Sequence, residues 1–196
     1  MEHLPAIDHM NNETRNDMQQ GLNVIENRSL GLVNFVNQYK SLITLPVADF
    51  KTVSIKSLLE RVCLLQQERL KEKGICLQMT IKNESLSIHL DPDLIEQVLL
   101  NLINNAADAL AGCANPSIEL IAEVTNHKTL IYVADNGTGI DKTVIDKIFI
   151  PFFTTKNTGS GIGLSLSKQI MRLHGGGIEV ICPEGGGAMF VLVFGG

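Results

Sequence analysis

Three asparagines fall within five positions in NLINNAADAL, residues 101–110. On a helix Asn101, Asn105 and Asp108 stand at i, i+4 and i+7 and share one face, with Leu99, Leu102, Ile103 and Ala106 largely on the other. Amides are poor helix formers, so such a stripe lowers intrinsic helicity. Neutral oxygens beside one carboxylate suit a hard cation such as Mg2+ that arrives with phosphates. A solvated polar face is the plainer alternative. Asn104 falls off the stripe and is expected to be exposed.

GSGIGLSLSKQI, residues 159–170, runs glycines directly into a helical pattern. Glycine inside a helix costs about 1 kcal/mol relative to alanine. A helix start offers free N–H groups and a partial positive charge, and glycine lets an anion come within bonding distance of that backbone. In isolation the pattern also fits a flexible linker. In DNGTGI, 135–140, Asp135 closes an apolar strand, and Gly137 and Gly139 permit a tight turn or a close ligand approach. A strand-end carboxylate can accept from an exocyclic amine; an ordinary Asn-Gly turn is the alternative. Lys142 and Thr143 follow Asp141 rather than glycine, which excludes a Walker A loop. IFIPFFTTK, 148–156, holds Phe149, Phe152 and Phe153, three of seven phenylalanines in the chain. They read as an apolar anchor for a long loop, with Lys156 as a mobile cation near an anion.

The surrounding chain must position these groups. Its 196 residues are 44% hydrophobic and 19% charged, enough apolar material for a core and too much for disorder. The net charge is −5 and no basic cluster stands out, so a nucleic-acid partner has no electrostatic support. Cys63, Cys76, Cys113 and Cys182 show no metal spacing and read as ordinary thiols in a reducing compartment. No run approaches the roughly 18 apolar residues of a membrane span, and the polar N-terminus does not read as a signal peptide.

From about Asn12 to Leu45 only two tolerated glycines interrupt a helical pattern. Leu22, Ile25, Ser29, Leu32, Val36, Tyr39 and Ile43 repeat at alternating spacings of three and four, a coiled-coil-like seam about 50 Å long that calls for a partner helix, the plainer alternative being a long helix lying on its own domain. Pro46 ends it. Then come a strand (50–55), an amphipathic helix (57–74), strands at 75–81 and 86–90, and a helix from Pro92 to about Ala111 capped by Asp91. A hairpin (117–124 with 129–135), the glycine-rich stretch, a helix (162–174) and a last hairpin (177–182 with 188–194) follow. The class is α+β: a two-layer sandwich with a mixed, mostly antiparallel sheet and helices on one face, preceded by a long N-terminal helix.

In this order the four segments resemble the ATP-binding catalytic domain of sensor histidine kinases, within the ATPase superfamily shared with DNA gyrase, heat-shock chaperones and mismatch-repair proteins. NLINNAADAL resembles the N box, DNGTGI the G1 box, IFIPFFTTK the F box, GSGIGLSLS the G2 box and GGGAMF (185–190) a last, G3-like turn. The resemblance spans about residues 50–196. RSLGLVNFVNQYKSLITLP (28–46) is similar to the second helix of the kinase dimerisation domain. It implies a partial dimerisation and phosphotransfer region at 1–46 and the catalytic domain at 47–196. The match is closest to the branch near nitrogen-regulatory sensors.

The resemblance implies ATP and Mg2+ as ligands. Asn105 would ligate the metal, with Asn101 nearby as ligand or phosphate contact and Asp108 on the same face. Asp135 would read the adenine amino group, and Gly137, Gly139 and Ile140 would shape its pocket. Phe153, Thr155, Lys156, Ser160, Gly161, Ile162, Gly163 and Leu164 would surround the phosphates, and 141–160 would be a short lid. It further implies γ-phosphate transfer to a histidine on a dimerisation helix, a homodimeric intact kinase, a response regulator receiver domain as partner, and a cytoplasmic place, alone or as part of a membrane-bound sensor. Two departures stand out. Ala188 replaces the usual threonine of the last turn, at an expected loss of about 1 kcal/mol of affinity. No histidine has the phosphoacceptor pattern: His3 and His9 lack its neighbours, and His89, His127 and His174 fall in a strand, a turn and a helix end. Self-phosphorylation is therefore not expected. An ATP-hydrolysing machine is disfavoured because Asn101 stands where its relatives carry a glutamate base. A non-catalytic nucleotide-sensing scaffold is the remaining alternative.

Overall fold

The computed structural model describes residues 12–43, 47–82, 86–156 and 159–195. The chain divides into two compact units, Met1–Ile43 and Thr44–Gly196. The described residues of the first form the helix α1 (Asn12–Ile43). Leu22, Ile25, Ser29 and Val36 of the predicted seam are exposed on it. The side chains of Leu32, Tyr39 and Ile43 lie outside the described ones, as do His3 and His9.

The second unit runs β1 (Lys51–Ser54), α2 (Ile55–Glu72), β2 (Cys76–Ile81), β3 (Ser87–Leu90), α3 (Pro92–Ala109), β4 (Ser117–Thr125), β5 (Lys128–Asp135), α4 (Gly163–Leu173), β6 (Gly177–Ile181) and β7 (Ala188–Phe194). The main sheet has the order β2-β4-β5-β7-β6. β2 and β4 are parallel and the other pairs antiparallel. β1 and β3 form a separate antiparallel ribbon. This is the predicted mixed, mostly antiparallel sheet. Alternation identified the strands at 75–81 and 86–90 but could not say that they join different sheets. It reports which face is apolar, not which strand lies alongside.

Helix boundaries differ slightly from expectation, and α2 and α4 also end early, at Glu72 and Leu173. α2 begins at Ile55, inside the predicted strand, because Ser54 caps it by accepting from Ser57 N at 3.4 Å. α3 ends at Ala109, short of Ala111. α4 begins one residue late, at Gly163. The cap of α3 is as predicted: the Asp91 side chain accepts from Asp93 N and Leu94 N, with Pro92 in the first turn.

Alternate residues of the central strands, Ile118, Leu120 and Ala122 on β4 and Ile131 and Val133 on β5, are buried. They belong to one core with Leu58, Leu59 and Val62 of α2 and with the apolar face of α3. On that face Leu94, Ile95, Val98, Leu99, Leu102 and Ile103 are all buried. Each gains about 1.5–3 kcal/mol on burial, against a few tenths lost per asparagine in propensity. Packing therefore holds α3 helical despite its amides and aims the Asn101–Asn105–Asp108 face away from the core.

Candidate functional site

That polar stripe faces the loop after β5 and the start of α4. The Lys156 ammonium donates to Asn105 Oδ1 at 3.0 Å and to Asp108 Oδ2 at 2.9 Å. Lys73 lies 3.8 Å from the other Asp108 oxygen. Asn101 Nδ2 donates to Ser167 Oγ at 3.0 Å, tying α3 to α4. Asn104 is half-buried rather than exposed, because it accepts from the Arg69 guanidinium of α2. Arginine at that distance in sequence was not readable from a helical wheel of α3 alone.

Asp135 ends β5 with its Oδ1 accepting from Gly137 N at 2.9 Å and Ala188 N at 3.4 Å. Burial raises its pKa above the usual carboxylate range, and those two backbone bonds only partly oppose the rise. Gly137 is buried, and Gly139 and Ile140 are half-buried beside it. Gly187 N donates to Gly137 O at 2.8 Å, so the two glycine turns close on each other behind the carboxylate. A Cβ on Gly137 would come within 2.7 Å of Ala109 O, which explains the glycine by space. Asn136 holds the turn from outside, accepting from Ser117 N and donating to Asn115 O.

α2 and α3 have side-chain caps; α4 has none, and its first turn carries no acid. Its opening N–H groups and positive dipole end are thus left for an external acceptor. Gly161 enters this turn at φ +68°, and its carbonyl accepts from Phe152 N at 2.9 Å. A Cβ on Gly163 would overlap Asn101 Oδ1 and stand 2.9 Å from Asn101 Cγ. That glycine exists to let α4 start against the amide stripe. Ile162 is buried, Leu164 half-buried and Ser160 exposed. In the Phe-rich stretch Phe149 packs on the core under the Lys168 ammonium, 5.0 Å from its ring centroid. Phe153 is half-buried, and Thr155 and Lys156 are exposed.

The fold thus brings the four predicted segments to one side of α3. Ser167 and Gly187 are positioning residues that sequence reasoning missed. The signal for Ser167 was a serine four residues after Gly163, one turn into an apolar helix face. Nothing local marked Gly187 apart from its glycine run.

The family model described as histidine kinase-, DNA gyrase B- and HSP90-like ATPase matches residues 90–195, more than half of the chain. The chain belongs to this ATPase family. Within that family, the relatives and solved structures it resembles are sensor histidine kinases and their catalytic domains. It is 36% identical over 146 residues to the signal transduction histidine-protein kinase AtoS of Escherichia coli (strain K12), covering 74% of this chain and 24% of AtoS. The chain therefore spans about a quarter of that relative's length. The nucleotide-free catalytic domain of the histidine kinase ThkA superposes with a TM-score of 0.69 at 32% identity, covering 75% of this chain and 95% of that one. ThkA with its response regulator TrrA gives 0.73 at 28% identity, covering 96% of this chain and 53% of that one. Full-length ShkA with AMPPNP gives 0.74 at 26% identity, covering 94% and 39%. Among the described residues, no helix is long and apolar enough to cross a membrane.

Proposed function

We propose that this domain binds ATP with Mg2+ between α3, the end of β5 and the start of α4, and donates the γ-phosphoryl group to a histidine of the intact kinase. The observation that carries the reading is the uncapped, acid-free start of α4 set directly against Asn101. An N-terminus left so beside a polar stripe is an anion site. Asp135 accepts from the adenine amino group through Oδ2, which has no hydrogen-bond partner among the described residues. Gly137, Gly139 and Ile140 line the base. Gly161, Ile162, Gly163 and Leu164 offer backbone N–H groups to the phosphates, with Ser160, Thr155 and Lys156 on the loop and Phe153 behind them.

The residues also fit the metal. Asn105 Oδ1 and Asp108 already share one positive charge, the Lys156 ammonium. No cluster of three His, Cys, Asp or Glu stands among the described residues. A site with few protein oxygens suits Mg2+, which keeps waters and phosphate oxygens as ligands. Asn105 would hold it and Asp108 would add charge. Asn101 spends its amide nitrogen on Ser167, which leaves its oxygen as a nearby metal ligand or phosphate contact. When bound, the metal neutralises phosphate charge. The protein's own part is orientation for in-line transfer: a nitrogen of the acceptor imidazole bonds to the γ-phosphorus, and the bond to the β–γ bridging oxygen breaks to leave ADP.

The acceptor belongs to a dimerisation helix of a homodimeric kinase. α1 is the second helix of that region, and a response regulator receiver domain takes the phosphoryl group onward. ThkA, solved with TrrA, supports that last step by analogy. The hydrolase reading is weaker, because the Asn101 amide cannot take a proton from water. Calorimetry with AMPPNP, with and without Mg2+, tests binding. Labelled ATP plus a separately supplied dimerisation hairpin tests transfer. Acid-labile label on the hairpin is expected; rapid ADP release without label would favour hydrolysis, and label on His3 or His9 would contradict the reading.

A further inference from the structure

Lys156 crosses from the loop after β5 to α3, bridging 51 residues to Asn105 Oδ1 and 48 to Asp108 Oδ2. An amide oxygen and a carboxylate oxygen gathered round one positive charge are the donors a divalent cation would take from this face. The lysine is aimed there by its own loop. Lys156 N donates to Thr154 Oγ1 at 3.1 Å, and Gly159 N donates to Lys156 O at 3.3 Å.

From this geometry we propose that Lys156 is a built-in stand-in for the metal. In the nucleotide-free domain its ammonium occupies the Asn105 oxygen and pins the loop to α3. When metal and nucleotide enter, Lys156 gives up that oxygen and turns to the phosphates. The inference rests on the ATP and Mg2+ reading above and adds the state the site holds without ligand.

The physical chemistry permits the exchange. Lysine is a compact charge on a flexible stem, able to swing between partners in a way a rigid guanidinium fork is not. The pair is exposed, with Lys156 and Asp108 side chains 40% and 44% accessible. An ion pair that open costs a competing ligand no more than about fivefold in affinity. Asp108 is not left bare when Lys156 departs, because Lys73 lies 3.8 Å from its Oδ1. The tie is thus strong enough to order the loop and weak enough to yield.

A double-mutant cycle of Lys156→Gln and Asp108→Asn tests this, read by amide hydrogen exchange of residues 141–156 without nucleotide and by AMPPNP affinity without Mg2+. Each single variant is expected to speed exchange in the loop several-fold, and the double variant no further, since both break one tie. Asp108→Asn is expected to tighten AMPPNP about two- to fivefold by releasing Lys156, and to lose most of that gain in the Lys156→Gln background. Exchange effects that multiply, or an Asp108→Asn gain equal in both backgrounds, overturn the inference in a chain that binds AMPPNP. A wild type that does not bind AMPPNP at all sinks the ATP reading and the handover with it. The exchange cycle then still reports separately on the tie.

Discussion

Gly163→Ala should reverse its sign when Asn101 is removed. Alanine at a helical position gains up to about 1 kcal/mol over glycine. The new Cβ, however, would overlap Asn101 Oδ1 and approach Asn101 Cγ to 2.9 Å. The far end of a side chain can swing away, so the cost lies in what it leaves. Asn101 Nδ2 donates to Ser167 Oγ at 3.0 Å, and Ser167 is only 2% exposed. Stranding a buried hydroxyl costs about 1–3 kcal/mol. Gly163→Ala alone should therefore destabilise by about 0–2 kcal/mol. In an Asn101→Ala background the collision and the bond are already gone, so the same change should stabilise by up to about 1 kcal/mol. Urea unfolding of the four chains measures the coupling, expected at about 1–3 kcal/mol. Gly161→Ala is the control. Its Cβ would meet backbone, 2.7 Å from Phe152 O, at φ +68°, so trimming a neighbour cannot rescue it. Equal effects of Gly163→Ala in both backgrounds would refute the contact between α4 and the amide stripe.

Three further outcomes follow from the same geometry. Asp135→Asn presents an amide N–H₂ to the adenine amine, so AMPPNP should weaken about tenfold to a hundredfold, the worth of a charge-assisted bond; calorimetry reads it. Burial raises the Asp135 pKa, so stability falls as pH rises past the unfolded-state value and the loss is complete above the folded one. Asparagine should then raise the neutral-pH melting point while lowering affinity, and wild-type affinity should fall as acid protonates Asp135. Burial pushes the Asp91 pKa up, but backbone donors from Asp49, Leu94 and Asp93 and the nearby His174 outweigh it and leave it low. Its stabilising contribution is thus full above about pH 4 and lost as pH falls through the depressed value, an acid limb that Asp91→Ala should flatten in a pH series of unfolding midpoints while costing about 0.5–2 kcal/mol of cap. Ala188→Thr should tighten AMPPNP about fivefold, one hydrogen bond's worth, if the hydroxyl reaches the base edge as in the family pattern; unchanged affinity would leave the backbone bond from Ala188 N as the sufficient partner of Asp135.

Much of this was legible in the chain because the site is built from short segments with strong local chemistry. Asp91–Pro92 announced the start of α3, and period 3.6 placed Asn101, Asn105 and Asp108 on one face without any knowledge of the sheet. The glycines before α4 were legible as a cost that something had to offset. What stayed hidden was pairwise and long-range. Alternation in 75–81 could not reveal that β2 runs parallel to β4 while β3 leaves to join β1. Asn104 read as a stray amide because its partner, Arg69, sits on another helix. Lys156 was legible as a nearby cation, but its attachment to Asn105 and Asp108 spans some fifty residues and no local rule encodes it.

The segments that carry the chemistry are also those where local preference and native structure disagree. α4 begins uncapped although its sister helices are capped. Asp135 keeps a carboxylate where burial opposes its charge. Phe152, a bulky residue, sits at φ +67° beside the Gly161 carbonyl that its N–H reaches. A backbone conformation like that of Phe152 costs of order 1–3 kcal/mol and persists only where its surroundings over-determine it. Two of these disagreements, the uncapped start of α4 and the buried Asp135 carboxylate, fall at groups to which the proposed nucleotide would bring partners of matching chemistry, a phosphate and an amine.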